Sequence, residues 1–273
     1  MTLSLFARDV SVVVLGSGSG GNCTYVGDGH AGVLIDCGLS TKQILLRLEA
    51  VGLGSASIDG VLVTHEHSDH IGAARILSDR LHRERGKRVP FFMTRGTFLG
   101  AHPRVLPERV ETVVAGKPFR VRHVLVDPFP IPHDVADPVA YRVELGGVAV
   151  AVLTDLGRPT NLIRRKLRDL DVAVIESNHD VDMLLEGPYP WHLKQRIRSS
   201  HGHLSNEQCA ELLQATYGPR LQAVVLAHLS EDNNCSERAV HVARGVVRDR
   251  RVRVEVAPQA HALTPIRVRA RTW

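Results

Sequence analysis

The chain has 273 residues, 44% hydrophobic and 23% charged, enough to bury a large core and ordinary for a globular fold rather than a disordered one. No stretch reaches the length of a membrane span, residues 1–9 carry no leader pattern, and Cys23, Cys37, Cys209 and Cys235 lack disulfide or metal-binding spacing. These features predict a cytoplasmic protein without a membrane partner, one domain over 1–273, and the net charge of +5 leans weakly towards polyanionic partners.

Val12–Leu15, Cys23–Val26 and Ala31–Asp36 read as short strands separated by glycine turns. Between the first two, Gly16-Ser17-Gly18-Ser19-Gly20-Gly21 satisfies the dinucleotide fingerprint. That fingerprint requires a following helix to hold a pyrophosphate, and Asn22 to Val26 is strand-like instead, so a hairpin loop is expected. Ser40 is placed to cap a helix whose Ile44, Leu45, Leu48 and Val51 recur at helical spacing. A buried strand over 58–64 precedes a helix from about Ile71 to Arg85. Further strands are expected at Val89–Met93, Phe119–Val126 and Val139–Val152, the last turning at Gly146-Gly147.

The second half continues with a helix at about Asn161–Leu170, strand Val172–Glu176 and helical stretches around 180–198 and 205–217. Strand Leu221–Ala227, helix Ser236–Arg248 and a strand near Val252–Val256 follow, and the run Arg267 to Arg271 reads as a solvated face. Two β-rich halves with helices outside predict an α/β fold, a four-layer α/β/β/α sandwich.

Residues 64–70 carry the densest chemistry, His65-x-His67-x-Asp69-His70 after the 58–64 strand. Neutral imidazoles and a carboxylate at this density are what divalent metals bind. Residues two apart on an extended segment share a side, so His65 and His67 converge, while Asp69 and His70 face a second position after a turn. Four residues cannot complete two metal sites. His133, Asp155 and His228 each end a strand candidate, where a rigid element fixes a side chain at a loop-lined opening.

This series resembles the ligand set of the metallo-β-lactamase-fold hydrolases in order and type. The resemblance implies that fold and two divalent ions, zinc first, with manganese or iron as alternatives. His65, His67 and His133 would hold one ion, Asp69, His70 and His228 the other, and Asp155 would bridge them. Asp36 matches an early aspartate that orients a ligand. A carboxylate rather than a cysteine at the bridge suits hydrolysis by a paired site.

Ser205 can cap a helix with Gln208 at the capping-box position, and a helix N-terminus favours anions. His203, just ahead of it, resembles the His-Ser-Thr element of tRNA 3′-processing members and is expected, with Asp69, to be catalytic. Lys194 and Arg198 lie one helical turn apart and, with Ser205 and Asn206, are candidates for substrate phosphate. Asn178 and His179 either line the site or end a strand.

The segments Leu15–Asn22, Asp36–Ser40, Glu176–Asp180, Gly202–Asn206 and His228–Asn234 are similar to those of WalJ/YycJ-type bacterial members, over about residues 12–256. That likeness implies a DNA exonuclease linked to DNA repair, with nucleic acid as partner. Hydrolysis of a cyclic phosphodiester, thioester or lactone, or a tRNA 3′-processing-like endoribonuclease, stays open, as does the oligomeric state.

Overall fold

The computed structural model describes residues 9–270, so the reading of residues 1–8 and of Arg271 lies outside the described residues. The first half forms β1 (Asp9–Gly16), β2 (Cys23–Gly27), β3 (Gly32–Ile35), α1 (Thr41–Ala50), β4 (Gly60–Leu62), α2 (Ser68–Ile71), α3 (Ala74–Arg85), β5 (Phe91–Thr94), α4 (Arg95–Gly100) and β6 (Val110–Val113). The second sheet is built from β7 (Phe119–Val121), β8 (Val124–Pro130), β9 (Val139–Leu145) and β10 (Val148–Leu153), then α5 (Asn161–Lys166) and β11 (Val172–Glu176). After these come α6 (Val181–Glu186), α7 (Trp191–Ile197), α8 (Asn206–Thr216), β12 (Ala223–Ala227), α9 (Ser236–Val246), β13 (Arg253–Val256) and β14 (Ile266–Arg269).

Two mixed sheets result, ordered β14-β1-β2-β3-β4-β5-β6 and β13-β12-β11-β10-β9-β8-β7. In the first, β3 to β6 run parallel, and in the second, β10 to β13 do. Alternation along each strand sorts side chains into layers. Val12 and Val14 of β1 join Val126, Tyr141, Val174 and Val225 between the sheets. Val13 and Leu15 face outward, where Ile44 and Leu48 of α1 and Leu77 and Leu81 of α3 cover them. Ile163, Leu212 and Ala243, from α5, α8 and α9, cover the outer face of the second sheet. Strands buried on both faces must be apolar throughout, as β10 and β12 are. The four-layer α/β/β/α arrangement is therefore present. Among the described residues, no helix is long and apolar enough to cross a membrane.

Several elements depart from the expectation. The helix expected from about Ile71 begins at Ala74 and is preceded by the separate short α2, because His70 O accepts from Cys37 N (2.8 Å) and Ala73 N donates to Cys37 O (3.0 Å), which ties the chain to the end of β3. The expected strand Phe119–Val126 is a hairpin, reversed where Arg122 adopts φ +54°. The basic run near the C-terminus is β14, paired antiparallel to β1. Ile266 and Val268 point inward while Arg267 and Arg269 stay exposed, so a two-residue period was present beneath the charge. The glycine-rich loop does join two antiparallel strands.

Candidate metal centre and cleft

Every parallel strand that bears chemistry ends at one rim. Asp36 follows β3, His65 lies beyond β4, Asp155 beyond β10, Glu176 ends β11, and His228 follows β12. Parallel strands deliver their carboxyl ends to the same side, where open α/β sheets bind ligands. Three of these residues, Asp36, Asp155 and His228, hold the left-handed backbone conformation, with φ of +61°, +57° and +55°. Such turns cost energy for a residue with a Cβ and persist where surrounding contacts over-determine them. Gly38 shows how tight the rim is, since a Cβ there would lie 1.6 Å from Asp69 O.

All seven residues expected as metal ligands meet at this rim. His65, His67 and His133 form one group and Asp69, His70 and His228 another, each with candidate atoms within 4.8 Å of one another. Asp155 joins them and is 2% exposed. Its Oδ2 lies 2.9 Å from His70 Nε2, and its Oδ1 lies 3.5 Å from His228 and 3.9 Å from His133 Nε2.

Hydrogen bonds behind the imidazoles fix their tautomers. His70 Nδ1 donates to Asp36 Oδ2 (2.8 Å), His133 Nδ1 to His201 O (3.1 Å), and His228 Nδ1 to Glu176 Oε1 (3.0 Å). His133 and His228 are left with Nε2 as the available lone pair, the arrangement that orients a metal-binding histidine, whereas Nε2 of His70 lies 3.1 Å from the Asn22 amide nitrogen. His133 Nε2, His228 Nε2 and Asp155 Oδ2 are buried yet make no hydrogen bond. Buried polar atoms are rarely left so. The residues therefore fit divalent cations. Asp36 is itself gripped by Thr64, whose backbone and hydroxyl both donate to it (2.8–3.0 Å).

Electrostatics divide the histidines, because the buried carboxylates draw positive charge to the rim, as a proton or as a cation. Burial would lower the His70 and His228 pKa values, but Asp155 outweighs it, aided by Asp36 at His70 and by Asp69 and Glu176 at His228. The result is a raised pKa at both, to about 10 for His228. Burial opposes the charge of Asp155, yet His228 and His70 hold its pKa well below the carboxylate range. His65 and His133 are pushed down, chiefly by burial, which favours the neutral form that metals require. Asp36→Ala is expected to weaken divalent-metal affinity by ~10–100-fold through loss of the His70 brace. Competition with a chromophoric chelator measures this, and unchanged affinity would leave Asp36 a purely structural residue.

The sequence did not mark Glu176 for a role, although it is fully buried at the centre of this network. Oε1 accepts from His203 Nδ1 (2.9 Å), His228 Nδ1 (3.0 Å) and Asp155 N (3.2 Å), and Oε2 from Leu156 N and Leu204 N (both 2.9 Å). Burial works against its charge, but His203 and its hydrogen bond, with that from His228, bring its pKa down to about 2. The available signal was the pattern shared with Asp36 and Asp155, an acid at the end of an apolar strand. His203 is thus fixed by Nδ1 beside the candidate metal groups, 3.5 Å from Asp155 Oδ1. Burial lowers its pKa, and the Glu176 carboxylate more than reverses that.

The residues expected to contact phosphate fare differently. Lys194 is buried, its ammonium donating to Leu185 O and Gly187 O (both 2.7 Å), so it ties α7 to the end of α6 and does not line the cleft. Arg198 is exposed at the end of α7, also outside the cleft lining. Ser205 caps α8 in a full capping box with Gln208, as the spacing implies. Asn206 is buried, accepting from Ser177 Oγ (2.6 Å) and bonding to Asn234, so it braces the loop after β12. Asn178 lines the cleft and donates to His228 O, while His179 is buried with Nδ1 unpaired and its pKa pushed down to about 4 by burial.

Comparison with known proteins adds to this geometry. A model of the beta-lactamase superfamily domain matches residues 32–229. The chain is 34% identical over 228 residues to exodeoxyribonuclease WalJ of Streptococcus pneumoniae, covering 83% of this chain and 84% of that protein. It is 32% identical over 255 residues to exodeoxyribonuclease YycJ of Bacillus anthracis, covering 92% and 94%. Among solved structures, the metallo-beta-lactamase fold protein YhfI from Bacillus subtilis superposes with a TM-score of 0.69 at 16% identity, covering 94% of this chain and 99% of that one, a likeness of fold alone.

Proposed function

The chain belongs to the beta-lactamase superfamily, in its WalJ/YycJ-type branch, and from that premise we propose a dinuclear metal-dependent exonuclease acting on DNA. It is a metal-dependent hydrolase of phosphodiester bonds, and the two exodeoxyribonuclease relatives, matched over most of their length, support DNA as its polymer. The observation that carries the two-metal reading is Asp155, a buried carboxylate whose two oxygens lie against histidines of both groups.

On this reading His65, His67 and His133 would hold one divalent cation and Asp69, His70 and His228 the other, with Asp155 available to both groups. Zinc suits this donor set best, and manganese or iron fits it also. Such ions supply Lewis acidity and an activated water at neutral pH. The remaining chemistry falls to the chain. Asp36 and Glu176 hold the imidazoles in the required tautomer. His203, protonated on both nitrogens, donates Nδ1–H to Glu176 and would deliver its Nε2 proton to the leaving oxygen of the substrate, which leaves the ring neutral.

A side-by-side assay of labelled duplex DNA, single strands, RNA and a simple phosphodiester, with zinc, manganese or iron, tests the proposal. Duplex DNA degraded from its ends is the expected result, and RNA cut internally would replace it. The acid-rich cleft wall favours a second reading, a small substrate such as a cyclic phosphodiester, thioester or lactone, which would appear as turnover without DNA cleavage. His203→Ala is expected to slow DNA cleavage by ~10²-fold, and an unchanged rate would remove it from the mechanism. Service in DNA repair is part of the proposal, and a deletion strain with normal survival of DNA damage would count against it.

A further inference from the structure

The cleft over the histidines has a volume of about 340 Å³ and is lined by Asp69, Asp134, Asp155, Glu231 and Asp232. Among the described residues that line it, Arg196 is the one lysine or arginine. Two divalent cations at the histidine groups would more than offset Asp69 and Asp155, but that charge acts on the reacting phosphate. Asp134, Glu231 and Asp232 line the cleft beyond them and oppose the entry of further phosphates. A polyanion entering here therefore needs a cation outside the histidine cluster.

Arg196 is built to be that cation. It stands on α7, which Lys194 pins to the end of α6. The loop carrying His203 packs directly beneath it. His203 N donates to Ile197 O (2.9 Å), and a Cβ on Gly202 would lie 2.3 Å from Arg196 O. The backbone segments that carry Arg196 and His203 are thus packed against one another. The guanidinium donates through Nε to Asp134 Oδ2 (2.7 Å), and its two terminal nitrogens have no hydrogen-bond partner among the described residues. Asp134 adjoins His133, with Oδ1 3.5 Å from His133 Nε2. The acid thereby tethers the guanidinium next to the reacting centre with its paired donors free, the form that suits bidentate phosphate contact.

We propose that Arg196 binds the nucleic-acid phosphate next to the scissile one and so selects a phosphodiester chain over a small substrate. The inference rests on the exonuclease reading. It replaces Lys194 and Arg198 as the phosphate contact, since neither lines the cleft.

The test compares the wild type with Arg196→Ala and Arg196→Lys on duplex DNA and on bis(p-nitrophenyl) phosphate, which carries one phosphate. With Arg196→Ala, KM for DNA is expected to rise about tenfold, with a far smaller change in kcat. The salt dependence of kcat/KM should become shallower by about one unit of slope, as for one lost phosphate contact. The preference for DNA over the small diester should fall by the same factor as kcat/KM for DNA, and Arg196→Lys should restore the slope. An unchanged KM and slope would reduce Arg196 to a surface ion pair. Equal losses in kcat on both substrates would make it a support of His203 instead. A wild type that cleaves the small diester but no DNA overturns the exonuclease reading itself, whereas DNA cleavage indifferent to Arg196 overturns only this assignment.

Discussion

Asp155→Asn is expected to remove most of the bound divalent metal and to slow phosphodiester turnover by ~10³-fold or more. The substitution is nearly isosteric, and asparagine is among the few residues that tolerate the left-handed conformation found there, φ +57°. The fold should therefore survive, which isolates the charge as the variable. Asp155 is 2% exposed and sits among His70, His133, His203 and His228, so solvent cannot take the place of its anion. An amide also presents a donor group where two lone pairs are needed. Metal content by mass spectrometry, turnover, and a thermal melt make the measurement together. Full metal loading with undiminished turnover would end the claim that Asp155 joins the two groups.

Glu176→Ala is expected to be the most damaging change for stability. Three backbone N–H groups and two imidazole N–H groups converge on this one carboxylate. Each buried donor left unsatisfied costs about 1–3 kcal/mol, so several kcal/mol of stability should be lost even if water enters the space. The Tm should fall by well over 10 °C, because ~1 kcal/mol shifts a domain of this size by about 2–4 °C. Glu176→Gln keeps the volume but turns one acceptor into a donor facing N–H groups, so it should melt at an intermediate temperature. Its turnover should still fall ~10²-fold, because His203 and His228 lose a common brace. A Glu176→Gln protein with wild-type melting and turnover would show that the convergence of donors has no consequence.

The two variants separate roles that a static view runs together. Asp155 meets the imidazoles at the rim, and its effect should appear in metal content before stability. Glu176 lies behind the rim, and its effect should appear in stability before metal content. Their opposite order of effect is itself a measurable expectation.

Much of the site was legible because ligand spacing is a local property. His65, His67, Asp69 and His70 lie within six positions, and the strand before them and the turn after them are readable from β-branched and polar composition. His133, Asp155 and His228 could be found because each follows an apolar strand-like run. Glu176 follows such a run as well, but its significance is that five donors from three distant segments meet on it. Lys194 shows the opposite error. A lysine near basic neighbours reads as a phosphate contact, yet its ammonium donates to the carbonyls at the end of α6, which lack donors within the helix. The strand at 266–269 was hidden for a related reason, since charge on the exposed face of an edge strand masks the alternation beneath it.

The sequence alone determined the layered α/β architecture and the family, and it carried the donor set proposed for the centre, since donor types, their order and strand-like periodicity are written in the order of residues. Only the tertiary structure decided which acid braces the histidines, which cation faces the cleft, and that the tail closes the first sheet against β1. Those are pairings between residues far apart in the chain. They depend on which carboxyl ends the parallel strands bring to one rim and which groups burial leaves in need of a partner.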